Sequence, residues 1–210
     1  MQKTLKGFAS LVGLAMMLAG CGGDGGGLSN SNPGKNDVDV VVCFGDSITQ
    51  GSECACEPYP SRLSRMIRKT CVNCGVGGST ATANVGRCQD AIDKYHPGFM
   101  LILYGVNDII HGGDIGDIIG ALGQMVDTCK SNHVVPVLAT YPKPITHHVV
   151  FGARTVALNN EIRSLASSKG IAKVNLEHEF AGNPEWYEDD GLHPNDAGTD
   201  AMALAFADLF

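Results

Sequence analysis

Five short apolar runs, rich in β-branched residues, punctuate this chain: Val38–Phe44, Thr70–Cys74, Phe99–Tyr104, Val134–Thr140 and Ile171–Asn175. They read as strands buried on both faces, the mark of a parallel sheet covered by helices above and below. Between them Tyr59–Lys69, Asn84–Tyr95, Asp114–Asn132 and Val150–Lys169 carry helical spacing, and a last helix is expected from about Ala197 to Leu209. Strand and helix in alternation imply an α/β fold, a doubly wound parallel five-stranded sheet with right-handed crossovers in a three-layer α/β/α arrangement. At 210 residues the chain can fill one well-buried domain but not two ordinary ones. In such a sheet the ligand site lies beyond the carboxyl ends of the strands, so the segments that follow the runs are where chemistry is to be sought.

Four of those segments carry candidate groups: Gly45-Asp46-Ser47-Ile48-Thr49, Asn73-Cys74-Gly75-Val76-Gly77-Gly78-Ser79, Gly105-Val106-Asn107-Asp108 and Asp190-Gly191-Leu192-His193-Pro194. A hydroxyl, an imidazole and a carboxylate are the parts of a nucleophile system in which the acid orients the His and the His deprotonates the Ser. The order Ser, Asp, His suits an open-sheet hydrolase. The Gly-x-Ser-x-Gly elbow of the α/β-hydrolases is nevertheless absent, because Thr49 stands at its second Gly. Taken alone, each group has a plainer reading. A Ser after a strand commonly caps a helix, Asp46 can bond backbone amides beside Ser47, Asp108 can hold a turn, and Gly77 and Gly78 read as turn glycines. Asp189 competes with Asp190 for the role of acid.

In this order and with this compact spacing, the four segments resemble the four sequence blocks of the SGNH (GDSL) hydrolase family, over about Val38 to Phe210. The resemblance implies that family's flavodoxin-like fold and a serine ester hydrolase that works through an acyl-enzyme. Ser47 would be the nucleophile, His193 the general base and later acid, and Asp190, which has the family's spacing to His193, the orienting acid. The oxyanion would be held by the N–H groups of Ser47 and Gly75 and the Asn107 side-chain amide. The types fit: an Asn supplies the N–H donor that an Asp lacks, and a Gly lets backbone approach substrate. No metal or organic cofactor is called for. Because no segment between blocks is long enough for a lid, the expected substrates are short-chain acyl esters, acetylated carbohydrate or small alkyl and aryl esters. Thioesterase, lysophospholipase or O-acyltransferase activity from the same residues stays open, as does an inactive glycan- or partner-binding lipoprotein.

The beginning of the chain reads differently. Lys3 and Lys6 precede an apolar stretch, Phe8 to Leu18, and a small-residue cleavage site, so residues 1–20 read as a signal peptide. The stretch falls short of the ~20 residues that span a bilayer. Leu18-Ala19-Gly20-Cys21 resembles a bacterial lipobox, which implies lipid on Cys21, attachment to the cell envelope and the membrane as a partner; Gly22 after it favours the outer membrane by the same resemblance. Residues 21–36 are rich in Gly, Ser and Asn and read as a flexible tether, leaving 37–210 as the hydrolase domain. The net charge is −7 and no Lys/Arg cluster interrupts the acidity, which speaks against nucleic-acid binding. Oligomeric state is not legible.

Eight Cys are present. Beyond Cys21, an exported chain is expected to bridge pairs among Cys54, Cys56, Cys71, Cys74, Cys88 and Cys129, with Cys43 left as a buried thiol; reductant would then lower activity if bridges stiffen the loops near Gly75. A zinc site from Cys54-x-Cys56 and Cys71-x-x-Cys74 is the sharper, less common alternative. His147-His148 fall on a loop near the expected site edge and read as solvated or substrate-touching. Trp186-Tyr187 either line the site or pack that loop on the core.

Overall fold

The computed structural model describes residues 27–210. The expected signal peptide and Cys21 lie outside the described residues. Five strands, β1 (Asp37–Gly45), β2 (Thr70–Gly75), β3 (Pro97–Leu103), β4 (Val135–Ala139) and β5 (Ala172–Val174), form one parallel sheet in the order β2-β1-β3-β4-β5. This is the flavodoxin-like order, with its switch point between β1 and β3, and each expected run became a strand within a few residues. Eight α-helices lie between the strands or follow the last one: α1 (Ser47–Gln50), α2 (Tyr59–Ile67), α3 (Val85–Tyr95), α4 (Val106–Ile110), α5 (Ile115–Ser131), α6 (Gly152–Lys169), α7 (Leu176–Glu179) and α8 (Asp196–Ala207).

Strand alternation divides the core. Val42 and Phe44 of β1, with Met100 and Ile102 of β3, face α3, α5 and α6, where Ala91, Ile92, Ile118, Leu122, Leu158 and Ile162 bury against them. Val41 and Cys43, with Phe99, Leu101 and Leu103, face α2 and α8, where Leu63, Met202 and Phe206 close the other side. Each Val, Leu, Ile, Phe or Met among them taken fully from water contributes roughly 1.5–3 kcal/mol. The helices begin where capping groups allow: Asp114 accepts from the Gly116 N–H ahead of α5, and Asn195 from the Gly198 N–H ahead of α8.

Two expectations are corrected here. The tether was placed at residues 21–36, but from Leu28 onward the chain is strapped to the domain. Leu28 packs into the α2–α8 side of the core and its N–H donates to the Leu209 carbonyl. The Asn30 amide donates to the Gly98 and His133 carbonyls at 2.9 and 2.8 Å, and the Asn36 amide to Asn132 at 2.7 Å. Short Asn side chains that can satisfy loop carbonyls make this polar segment a strap.

The cysteines are also used differently. Cys54 and Cys56 are joined, whereas Cys71, Cys74, Cys88 and Cys129 are free thiols, as is Cys43. Cys71 and Cys74 are an odd number of residues apart on β2, so they point to opposite faces and pack into opposite halves of the core; they can neither pair nor share a zinc ion with Cys54 and Cys56. Cys88 and Cys129 approach to 3.8 Å across α3 and α5, each 3.6 Å from the Met100 sulfur, as buried apolar packing groups. Among the described residues no three His, Cys, Asp or Glu side chains are grouped to hold a metal ion.

Candidate active site

The carboxyl ends of β1, β2 and β3 bring three of the four segments to one rim. Leaving β1, the chain turns at once into α1, with Ser47 as its first residue and Asp46 as its cap. Asp46 is completely buried. Its carboxylate accepts from the Ile48 N–H at 3.0 Å and from the Tyr141 hydroxyl at 2.6 Å. Burial pushes its pKa up to about 6, against the pull of Tyr141 and Ile48. Tyr141 is itself clamped by Asn159 of α6, which exchanges two bonds of 2.8 Å with its backbone. The position of Ser47 is thus fixed by core packing and a buried polar chain.

His193 arrives from the far end of the sequence. The segment that carries it has no regular structure beyond a bridge between Tyr187 and Pro194, reinforced by Glu188 N–H donating to the His193 carbonyl at 2.8 Å. Asp190 accepts from the Leu192 and His193 N–H groups at 2.8 and 3.0 Å through one oxygen and meets His193 Nδ1 at 2.5 Å through the other. A carboxylate accepts, so Nδ1 carries the proton and Nε2 is the acceptor. Nε2 lies 2.9 Å from Ser47 Oγ, 146 positions away in sequence. Burial works to raise the Asp190 pKa, but the His193 ring and the two amides outweigh it, so the net shift is downward. Ser47 and His193 are each 9 % exposed, dry enough to strengthen the hydrogen bonds yet open on one side. A hydroxyl held in this way can lose its proton to the imidazole as it attacks a carbonyl carbon.

A family model, the GDSL-like Lipase/Acylhydrolase family, matches residues 43–201. The chain belongs to this family. It is a GDSL-type hydrolase of carboxylic esters. Among curated relatives, an arylesterase of Vibrio mimicus is 27% identical over 163 residues, 73% of this chain and 79% of the relative. Thioesterase 1/protease 1/lysophospholipase L1 of Escherichia coli K12 is 24% identical over 165 residues, 75% and 76%. Among solved structures, a lipolytic protein of the G-D-S-L family from Desulfitobacterium hafniense superposes with a TM-score of 0.73 at 23% identity, covering 82% of this chain and 99% of that one. An acetylxylan esterase from Geobacillus stearothermophilus, a catalytic mutant, gives 0.70 at 17%, covering 81% and 93%.

In this GDSL-type hydrolase the remaining expected residues divide. Asn107, on the first turn of α4, gives one amide N–H to the Ser79 carbonyl at 3.0 Å, which leaves its second N–H to spare. The neighbouring Asp108 holds the same loop, accepting from Ala81 N–H, Thr82 N–H and the Thr82 hydroxyl at 2.7, 3.1 and 2.8 Å. Gly75 does not serve as expected. Its N–H is taken by the Asn73 side-chain oxygen at 2.9 Å, and a Cβ at this position would run into the Gln50 backbone. Gly75 is a glycine because α1 packs on it. Two N–H groups of this loop meet no protein acceptor, those of Gly78 and Thr80; Gly78 sits at φ +71° in a turn closed by Ser79 N–H to the Val76 carbonyl at 3.2 Å, with open space around it.

Trp186 and Tyr187 pack edge-on against Phe180, at 5.4 and 5.3 Å, and so anchor the His193 segment to the core. His148 is not merely solvated: its Nδ1 lies 2.8 Å from the Asp190 carbonyl. Tyr141, Asn159, Gly78 and His148 escaped the sequence reading. Gly78 had been read as a turn glycine and His148 as one of a loop pair; Tyr141 and Asn159 had not been marked at all, since nothing local in sequence connects them to the four blocks.

Proposed function

We propose that this hydrolase is an exported, lipid-anchored serine esterase that cleaves short acyl esters, small aryl or alkyl esters and acetylated carbohydrate among them. The observation that carries the reading is the unbroken line Ser47 Oγ–His193 Nε2, 2.9 Å, and His193 Nδ1–Asp190 Oδ2, 2.5 Å. Ser47 attacks the ester carbonyl while its proton passes to His193. Asp190, held ionised by its amide donors, stabilises the imidazolium. The tetrahedral oxyanion is held by the N–H of Ser47, the spare N–H of Asn107 and the N–H of Gly78 in place of Gly75. His193 then protonates the departing alcohol. A water that gives its proton to His193 cleaves the acyl-enzyme and restores Ser47.

The preference for small groups is supported by the absence of a lid-length segment between blocks and by likeness to a curated arylesterase. Export and anchoring rest on the sequence of residues 1–21, where lipid on Cys21 would be the membrane attachment. Hydrolysis of 4-nitrophenyl acetate by the described domain, and by its Ser47→Ala variant, tests the chemistry; full activity in the variant would overturn it. A panel of esters that varies acyl length and alcohol should show rates falling with acyl length. Metabolic labelling of the full chain with an alkynyl fatty acid, lost in Cys21→Ala, tests the anchor.

A further inference from the structure

One short segment holds three consecutive carbonyls of the loop that carries the acid. Thr146 Oγ1 donates to the Asp189 carbonyl at 3.2 Å, His148 Nδ1 lies 2.8 Å from that of Asp190, and Ile145 N–H donates to that of Gly191 at 2.8 Å. A carbonyl oxygen only accepts, so His148 Nδ1 carries a proton. The segment is bent to reach the loop. Thr146 is a β-branched residue at φ +43°, a costly conformation that persists only where surroundings impose it. Opposite it Gly191 sits at φ +70°, and a Cβ there would strike the Thr146 hydroxyl and the Ile145 carbonyl. The His148 ring is seated beside Phe151, with 6.2 Å between ring centres.

Two of these three bonds fix the neighbours of the acid; the third fixes the acid's own peptide. The carbonyl and carboxylate of Asp190 hang from one Cα on a loop whose strand-type support is the single bridge between Tyr187 and Pro194. The orientation of that peptide therefore sets where the Leu192 and His193 N–H groups stand, and these hold the carboxylate against His193 Nδ1. We propose that His148 is a positioning residue for the Asp190–His193 pair: its Nδ1–H locks the Asp190 peptide in the orientation that delivers the carboxylate to the imidazole. The proposal rests on the catalytic reading of Ser47, His193 and Asp190 given above. It assigns to His148 no contact with substrate.

The test is a set of three variants of the full chain, His148→Ala, His148→Asn and His148→Gln, with 4-nitrophenyl acetate kinetics and proton NMR of the His193 Nδ1–H resonance. An Asn amide can place an N–H near where Nδ1 stood, whereas a Gln amide places it about one bond farther out. His148→Ala should lose about tenfold in kcat, the scale of one hydrogen bond, with KM unchanged. His148→Asn should recover most of that loss and His148→Gln less. The Nδ1–H resonance should move in His148→Ala and return in His148→Asn. If His148→Ala does not fold, the Asn and Gln variants decide, and equal kcat in the two overturns the proposal. So does wild-type kcat in His148→Ala, a loss confined to KM, or a lowered melting temperature with kcat and resonance unchanged. Labelling of Ser47 in the wild type by a fluorophosphonate, absent in Ser47→Ala, separates these outcomes: failure there sinks the catalytic reading itself, whatever His148 does.

Discussion

The two sides of the site are held by different means. Ser47 opens α1 just past the buried end of β1, backed by the buried Asp46–Tyr141–Asn159 chain. His193 stands on an irregular loop, hung on amides, a Tyr187–Pro194 bridge and the 145–148 segment. Ser47 is thus placed by the same contacts that fold the protein, and His193 by contacts of an irregular loop. Substitutions around Ser47 should register as stability, and those around His193 as turnover.

The sharpest probe removes the hydroxyl itself. Ser47→Ala should lower kcat on the order of 10⁴–10⁶-fold with melting unchanged, as measured by burst kinetics and calorimetry, because no packing depends on Oγ. Next is Asn107→Ala, expected to lower kcat by roughly 10²–10³-fold as one oxyanion donor disappears. Gly75→Ala breaks the comparison from the other side. Its Cβ would drive α1 away from β2, so denaturant unfolding should show a loss of about 3 kcal/mol. Were Gly75→Ala stable and merely slow, the loop N–H assignment would return from Gly78 to Gly75.

A smaller effect is expected from pH. A native pKa for Asp46 raised to about 6 means that the folded state binds this proton more tightly than the unfolded chain. Stability therefore falls as pH rises from about 4 to 6, by on the order of 3 kcal/mol, and the cost stays in place above that window. Asp190 is shifted the opposite way, so its contribution is present above the ordinary carboxylate range and is lost as pH falls. In Asp46→Asn the first dependence should vanish and the second remain. Relative to wild type, urea midpoints of the variant should rise between pH 4 and pH 7; parallel curves would contradict the buried-charge account. The smallest effect should come from reducing Cys54–Cys56, which closes too short a loop to constrain the unfolded chain strongly. Kinetics in dithiothreitol, with thiols counted by mass, check whether activity moves at all.

Much of this was legible in the sequence because it is periodic or local. Apolar runs such as Val38–Phe44 and the spacing of Asp190 to His193 specify strands, helices and the contact between that carboxylate and that imidazole without knowledge of the rest. What was misread depends on direction rather than composition. Gly75 and Gly78 are three residues apart in one glycine-rich turn, and which N–H is spent depends on where the Asn73 side chain folds back. Cys71 and Cys74 look pairable until strand alternation sends them to opposite faces. His148 serves a carbonyl 42 positions away, and a backbone acceptor leaves no signature of its own in sequence. The strap at Leu28–Asn36 was taken for a tether because its residues are polar, although three of its side chains are tied to the body.

That strap fixes where the chain enters. Leu28 joins the far end of α8, and Asn30 grips the first residues of β3, both at the edge of the sheet opposite Ser47. If lipid is attached at Cys21, the few residues up to Gly27 reach no more than about 20 Å, at ~3.5 Å each. The enzyme would then stand on the membrane by its base with its catalytic mouth turned outward. Lipids of the anchoring leaflet would lie behind it, and the esters within its grasp would be those carried by the surrounding polymer or fluid.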